Sequence, residues 1–244
     1  MGLAVISGGG TGIGAATARA LAGDGYDVII VGRRAEVLSA TASEIDKAVD
    51  RPGAVSPVAA DLTRPDEVSR VAAAVGERPV EVLVNNAGGF LPEGGDDLPG
   101  VADWWRRTFD ANVLTAVLLT TALLPRLARP GGRVVLLSSI AAQRGGAGAY
   151  SAAKAALHGW AFDLAGQLGP QGVTVNVVCP GYVADTEFFA GRMTPEGHAR
   201  RVAQTLVKRA GEPADIADTI RWLVRAGYVT GQVIGVNGGS VLGR

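Results

Sequence analysis

The sequence predicts a doubly wound α/β fold: a parallel sheet of about seven strands with helices on both faces. Three observations carry this. Short apolar runs alternate with helical patterns along the chain. A glycine-rich turn joins the first run to the first helix. The conspicuous polar and glycine residues, namely the first turn, Arg33, Asp61, residues 85–88, Ser139 and Pro180-Gly181, follow the carboxyl ends of those runs. Open sheets of this kind bind ligands there.

The elements follow in order. Residues 3–6 are a short buried strand, and Gly8 to Gly14 form the turn. The first helix runs on until Gly23 and Gly25 stop it. Residues 27–31 make a second strand, followed by Gly32-Arg33-Arg34 and a helix through Lys47. A third strand, 55–60, ends at Asp61-Leu62, and Pro65 sits near the start of the next helix, where its missing N–H costs little. The fourth strand, 80–84, runs into Asn85-Asn86-Ala87-Gly88. A loop, 89–100, leads to a long helix carrying Trp104, Phe109, Asn112 and Leu119, which Pro125 should bend or end. The fifth strand, 133–139, leaves Ser138 and Ser139 at its end. A helix over 150–168, a strand over 173–178, a mixed segment to Ala210, a helix over 213–225 and a strand over 233–236 complete the chain. Without a linker or repeat, residues 1–244 read as one doubly wound domain.

Composition removes several function classes. The chain carries 23 Lys and Arg against 23 Asp and Glu, which argues against a nucleic-acid or anionic-membrane surface. One cysteine, Cys179, excludes an internal disulfide, and two distant histidines, His158 and His198, make a metal centre improbable. The longest apolar stretch, 113–124, is short for a bilayer, and no secretory signal opens the chain. A cytoplasmic protein is expected.

Two patterns carry chemistry. In the first turn the absent Cβ atoms let a phosphate approach Gly8, Gly10 and Gly12, while the N–H groups after Thr11, at Gly12, Ile13 and Gly14, point at it. The spacing is G-x-x-x-G-x-G, and Ala15-Ala16 stand where an ATPase P-loop needs Lys and Ser or Thr. Tyr150 and Lys154 lie four residues apart on a helix and so share a face. A neighbouring Lys⁺ lowers a tyrosine pKa toward the range of a general acid–base. Alone, either pattern could be a plain turn or a surface pair.

Together, and with Asp61-Leu62, Asn85-Asn86-Ala87-Gly88, Asn112, Ser139, Pro180-Gly181 and Thr230-Gly231-Gln232 in order, they make the chain resemble the single-domain short-chain dehydrogenases/reductases from Leu3 to Gly239. Ser7 replaces the family's Thr. The resemblance implies a 3-oxoacyl-reductase-like enzyme with a catalytic tetrad of Asn112, Ser139, Tyr150 and Lys154. Tyr150 would be the proton donor, Ser139 a partner of the carbonyl oxygen, Lys154 the holder of the nicotinamide ribose, and Asn112 the holder of a relay water. Cofactor contacts would come from the glycine turn, Asp61, Leu62, Asn86, Ala87, Gly88, Tyr150, Lys154, Pro180, Gly181, Val183 and Thr186. Asp185 stands where the family usually places the nicotinamide-contacting Thr, and Thr186 follows it. Strand alternation admits only one of Ser138 and Ser139 to the site; the family's paired serines align Ser139 with the catalytic one.

Gly32 replaces the acid that holds a free ribose 2′-OH in NAD enzymes. Arg33 and Arg34 follow, and guanidinium suits a 2′-phosphate, so NADP(H) is expected over NAD(H). The resemblance also implies that 1–244 is a single NAD(P)-binding Rossmann domain with a small substrate lid around 185–210, where Phe188, Phe189 and Met193 are expected as an apolar wall. Pro125 and Gln171 stand where carrier-protein reductases place basic residues, with Arg126 and Arg129 nearby, which argues against carrier docking. A small carbonyl or alcohol substrate and a homotetramer are implied. An NAD-preferring alcohol or steroid-like dehydrogenase, and a non-catalytic NADP-binding regulator, remain the alternatives; the latter usually lacks the Tyr or Lys.

Overall fold

The computed structural model describes residues 1–184, 186–189, 191 and 193–243, without the side chain of Phe189. Seven parallel strands form one sheet: β1 (Leu3–Ser7), β2 (Asp27–Gly32), β3 (Val55–Ala59), β4 (Val80–Asn85), β5 (Arg133–Leu137), β6 (Thr174–Pro180) and β7 (Val233–Val236). Their order is β3-β2-β1-β4-β5-β6-β7, so the winding reverses between β1 and β4 and opens a crevice at that switch point. The central strands are apolar on both sides because helices cover both faces.

On one face lie α1 (Gly12–Gly23), α2 (Ala35–Ala48) and α9 (Pro213–Arg225), which bury Leu21, Leu38, Ile45, Ile216 and Ile220. On the other lie α3 (Pro65–Val75), α5 (Thr115–Leu123) and α7 (Ala149–Leu168), burying Val71, Leu119, Leu123, Leu157 and Leu164. Each such side chain contributes about 1.5–3 kcal/mol on leaving water. Pro65 is in the first turn of α3, as its sequence position suggests. Pro125 ends α5 in a 3₁₀ turn, Leu124–Arg126.

Three elements differ from the sequence expectation. The long helix is interrupted by a π turn, Asp110–Leu114, between α4 (Leu98–Phe109) and α5. A short α6 (Ala141–Arg144) follows β5, and α8 (Pro195–Ala203) forms within the mixed segment, where Thr194 caps it by accepting from the Gly197 N–H at 3.0 Å. The run Leu98–Arg126 has 29 residues and a mean hydropathy of 1.3 in its most apolar window, long and apolar enough to cross a membrane by those criteria. In the fold α4 packs on α7, and α5 on α3 and β4, which buries Trp104, Ala116, Leu119 and Leu123.

Candidate active site

The crevice is a cleft of about 990 Å³ over the carboxyl ends of the strands. Beneath it lies buried Ser7, whose Oγ accepts from the N–H groups of Asn86 (3.0 Å) and Ala87 (2.9 Å) and so ties β1 to β4 across the switch point. Asn86 Nδ2 in turn donates to the carbonyls of Ser7 (3.0 Å) and Gly8 (3.1 Å), bracing the glycine turn. Gly8 has φ +65°, and a Cβ on Gly14 would lie 2.1 Å from the Gly8 oxygen. Neither position tolerates a side chain. Gly8, Gly10, Thr11, Gly12 and Ile13 line the cleft, whereas Gly14 is buried behind the turn. Thr11 is the N-cap residue of α1, whose first-turn N–H groups have no partner within the helix. This backbone cradle fits a dinucleotide pyrophosphate.

Further along, Arg33, Arg34, Asp61, Leu62, Ala87 and Gly88 line the same cleft. The Asp61 carboxylate accepts from the Thr63 N–H (3.0 Å) and hydroxyl (2.8 Å). The Thr63 backbone bond, with Arg33 among the smaller contributors, holds its pKa below the usual range. The two arginines differ. Arg34 pairs with Glu187 at 2.6 Å, and Glu187 also accepts from Thr11 Oγ1 at 3.4 Å. No hydrogen bond or ion pair holds Arg33 among the described residues. Pro180, Gly181, Val183 and Thr186 complete the far wall, with the Thr186 methyl 3.4 Å from where a Gly12 Cβ would stand. Asp185 lies outside the described residues, as do parts of the expected lid.

The chemical groups meet where β5 gives way to α7. Ser138 and Ser139 separate cleanly. Ser138 Oγ donates to the Lys154 carbonyl at 2.8 Å and shares a 2.8 Å hydrogen bond with His158 Nε2, which also lies 3.5 Å from Cys179 Sγ. It fastens strand to helix. Ser139 Oγ accepts from the Ala141 N–H at 3.1 Å and faces the Tyr150 phenol. Lys154 is 4% exposed, and its Nζ donates to the Leu137 carbonyl at 2.9 Å and lies 5.8 Å from the Tyr150 ring centroid. Burial lowers its pKa to about 8.

The expected depression of the Tyr150 pKa is not seen. Burial pushes it up to about 12, against the opposing Ser139 hydrogen bond. The reason is geometric: the lysine ammonium is directed at a carbonyl, and the phenol is shielded from water by Phe90, at 6.1 Å between ring centroids, and Phe188, at 5.7 Å.

Asn112 does not line the cleft. It lies in the π turn, 1% exposed, where Nδ2 donates to the carbonyls of Thr108 and Gly89 (both 2.9 Å) and Oδ1 accepts from the Gly89 N–H (3.0 Å). A Cβ on Gly88 would stand 2.6 Å from Asn112 Oδ1 and 3.0 Å from Lys154 Nζ. Asn112 therefore pins the loop beside Lys154. Phe188 and Met193 line the cleft as expected of an apolar wall; Phe90, Arg144, Arg200 and Arg201 line it too and were not singled out in the sequence.

A doubly wound sheet with an anion cradle at its switch point and a Ser-Tyr-Lys cluster across the cleft defines a nucleotide-dependent oxidoreductase. The comparisons make this specific. Residues 8–240 match a family model described as enoyl-(acyl carrier protein) reductase. The chain is 33% identical to a 3-oxoacyl-[acyl-carrier-protein] reductase of Synechocystis sp. over 98% of this chain and 97% of the relative. It is 32% identical to a 7alpha-hydroxysteroid dehydrogenase of Escherichia coli, covering 98% and 93%. Among solved structures, an actinorhodin polyketide ketoreductase variant with NADPH superposes with a TM-score of 0.86 at 30% identity, covering 98% of this chain and 97% of that one. The chain belongs to the short-chain dehydrogenase/reductase family. It is an NAD(P)-dependent oxidoreductase acting on alcohol and carbonyl groups.

Proposed function

We propose that this enzyme reduces a ketone with NADPH, and that Tyr150 delivers the proton. The observation that carries this reading is the convergence of Ser139, Tyr150 and Lys154 on the cleft that the glycine turn also lines. When bound, NADPH supplies the hydride. Tyr150 protonates the carbonyl oxygen, and in the reverse direction accepts that proton. Ser139 donates a hydrogen bond to the same oxygen, where negative charge develops. Lys154, with a pKa near 8, holds the nicotinamide ribose and returns a proton to Tyr150 after turnover. Asn112 acts through position, keeping the 88–89 backbone beside Lys154.

NADP(H) is preferred in this reading because β2 ends at Gly32 without an acid, and Arg33, on the cleft lining and without an ion pair among the described residues, suits a 2′-phosphate. A free ketone is favoured over a carrier-bound one. Arg126 is engaged by the Gly76 carbonyl (2.8 Å) and Glu77 (2.6 Å), and Arg129 by the Leu124 carbonyl (2.8 Å). The similarity to a 3-oxoacyl reductase supports a second reading, in which the substrate is a 3-oxoacyl thioester. We also propose a homotetramer in the cytoplasm. Trp105 on α4 and Phe162 on α7 are 40% and 53% exposed, which suits helices that pack on another copy.

NADPH oxidation with free ketones, secondary alcohols and a 3-oxoacyl thioester tests this. Reduction of at least one ketone with the alcohol as product is expected. A protein that binds NADPH but turns over nothing in the panel is a regulator instead.

A further inference from the structure

The cleft has a second cationic end that the hydride chemistry does not use. Arg144 closes α6 just after Ser139, and Arg200 and Arg201 lie on α8; all three line the cleft with Tyr150. They follow β5 and β6, on the opposite side of the switch point from Arg33, which follows β2. Arg144 reaches toward α8, its guanidinium 3.4 Å from Gln204 Oε1. The Arg201 guanidinium stands 5.7 Å from the Tyr182 ring centroid, and Tyr182 Oη is fixed by a 2.8 Å hydrogen bond with His198 Nδ1.

Several exposed arginines meet carboxylates: Arg34 with Glu187, Arg209 with Asp215, Arg225 with Asp24. Among the described residues neither Arg144 nor Arg200 has such an ion pair. Burial, then the charge of Arg144 and that of Arg200, lower the Arg201 pKa. An anion in this part of the cleft faces the guanidinium groups that α6 and α8 present to it. Guanidinium forks also match the planar oxygens of a carboxylate or phosphate.

We propose that Arg144, Arg200 and Arg201 hold an anionic group of the substrate, a carboxylate or a phosphate, while its carbonyl lies at Ser139 and Tyr150. This rests on the ketone-reductase reading. It narrows the substrate class to oxo acids and phosphorylated ketones.

The test uses methyl ketones of increasing length that end in a carboxylate, their neutral methyl esters, and the matching phosphonates. Binding to the NADP⁺-saturated enzyme is measured by calorimetry, and turnover with NADPH separately. At one chain length the anion should bind about tenfold to a hundredfold more tightly than the ester, the scale of hydrogen bonds to charged groups. That preference should shrink with added salt. It should fall to near unity in Arg144→Gln/Arg201→Gln, while Arg144→Lys keeps part of it. The carboxylate and phosphonate arms show which anion the site takes. Esters that bind as tightly as the acids at every length, or a preference that survives the double substitution, would overturn the proposal. If the preference and its loss are found but no ketone is reduced, the reductase reading falls and the anion site stands.

Discussion

The two walls of the cleft are built differently. The wall made by β5 and α7 is part of the core: Ser138 and Lys154 are buried, each meets a backbone carbonyl, and Asn112 in the π turn behind them is buried and bonded too. The wall contributed by the Glu187–Phe189 turn and α8 is mostly exposed: Glu187 pairs with Arg34, Phe188 lies against the Tyr150 ring, and Arg200 and Arg201 line the cleft from α8. Reaction chemistry needs groups held within a fraction of an ångström, which only a packed wall supplies. Selection among substrates needs charge and shape, which an exposed wall varies without disturbing the core. Substitutions in the first wall should therefore change rate or folding, and those in the second should change which ligand binds.

The largest effect is expected for Tyr150→Phe. Turnover should fall about 10²-fold or more, the scale of a lost general acid, with NADPH binding nearly unchanged in a fluorescence titration. Retained turnover would remove Tyr150 from the mechanism.

Arg33→Ala should weaken NADPH binding by about 1–3 kcal/mol and leave NADH binding almost unaltered. Adding Gly32→Asp should invert the preference by offering the ribose an acceptor and repelling phosphate. Equal weakening of both cofactors would mean that Arg33 does not read the phosphate.

Gly14→Ala places a methyl 2.1 Å from the Gly8 carbonyl, so the turn must shift. Denaturant unfolding should show a loss of about 1–3 kcal/mol. A variant as stable as the parent would contradict the tight turn.

Lys154 gives the packed wall a pH signature. Its folded value, about 8, lies below the ordinary 10.5. Between these the unfolded chain holds the extra proton, so stability rises with pH across that window. Tyr150 does the reverse between 10 and about 12, where the folded state keeps the proton. In Lys154→Met the rise above pH 8 should disappear from the melting-temperature profile. An unchanged profile would place the titrating group elsewhere.

Glu187→Gln should have the smallest effect, within about 1 kcal/mol of stability, because its pair with Arg34 is exposed. A large loss would make the second wall more structural than this comparison holds.

Much of the packed wall was legible in the sequence. Glycine spacing, the Tyr150–Lys154 interval and apolar runs of strand length are local patterns, and local geometry turns them into a turn, a shared helix face and a sheet. Strand order has no local signal in the sequence, and the choice of Ser139 over Ser138 came from the resemblance alone; the packing of α7 supplies its physical reason, since Ser138 is bound to a helix carbonyl and Ser139 faces a phenol. The π turn had no signal in the local apolar pattern, and the Asn112 side chain within it is held by Gly89, far from it in the chain. The second wall was hardly legible. Arg34 meets Glu187 across 153 residues, and Arg144 approaches α8 only in the folded chain. Solvated charges carry no periodicity that would reveal such meetings.

The central claim is hydride transfer to a carbonyl within this cleft, and isotope transfer tests it most directly. A ketone from the panel is incubated with NADPH deuterated at the transferable ring carbon, and the product is weighed by mass spectrometry. The account predicts an alcohol carrying one deuterium on the carbinol carbon, formed by the parent and nearly absent with Tyr150→Phe. An alcohol without deuterium, or unchanged ketone across the panel, would contradict it.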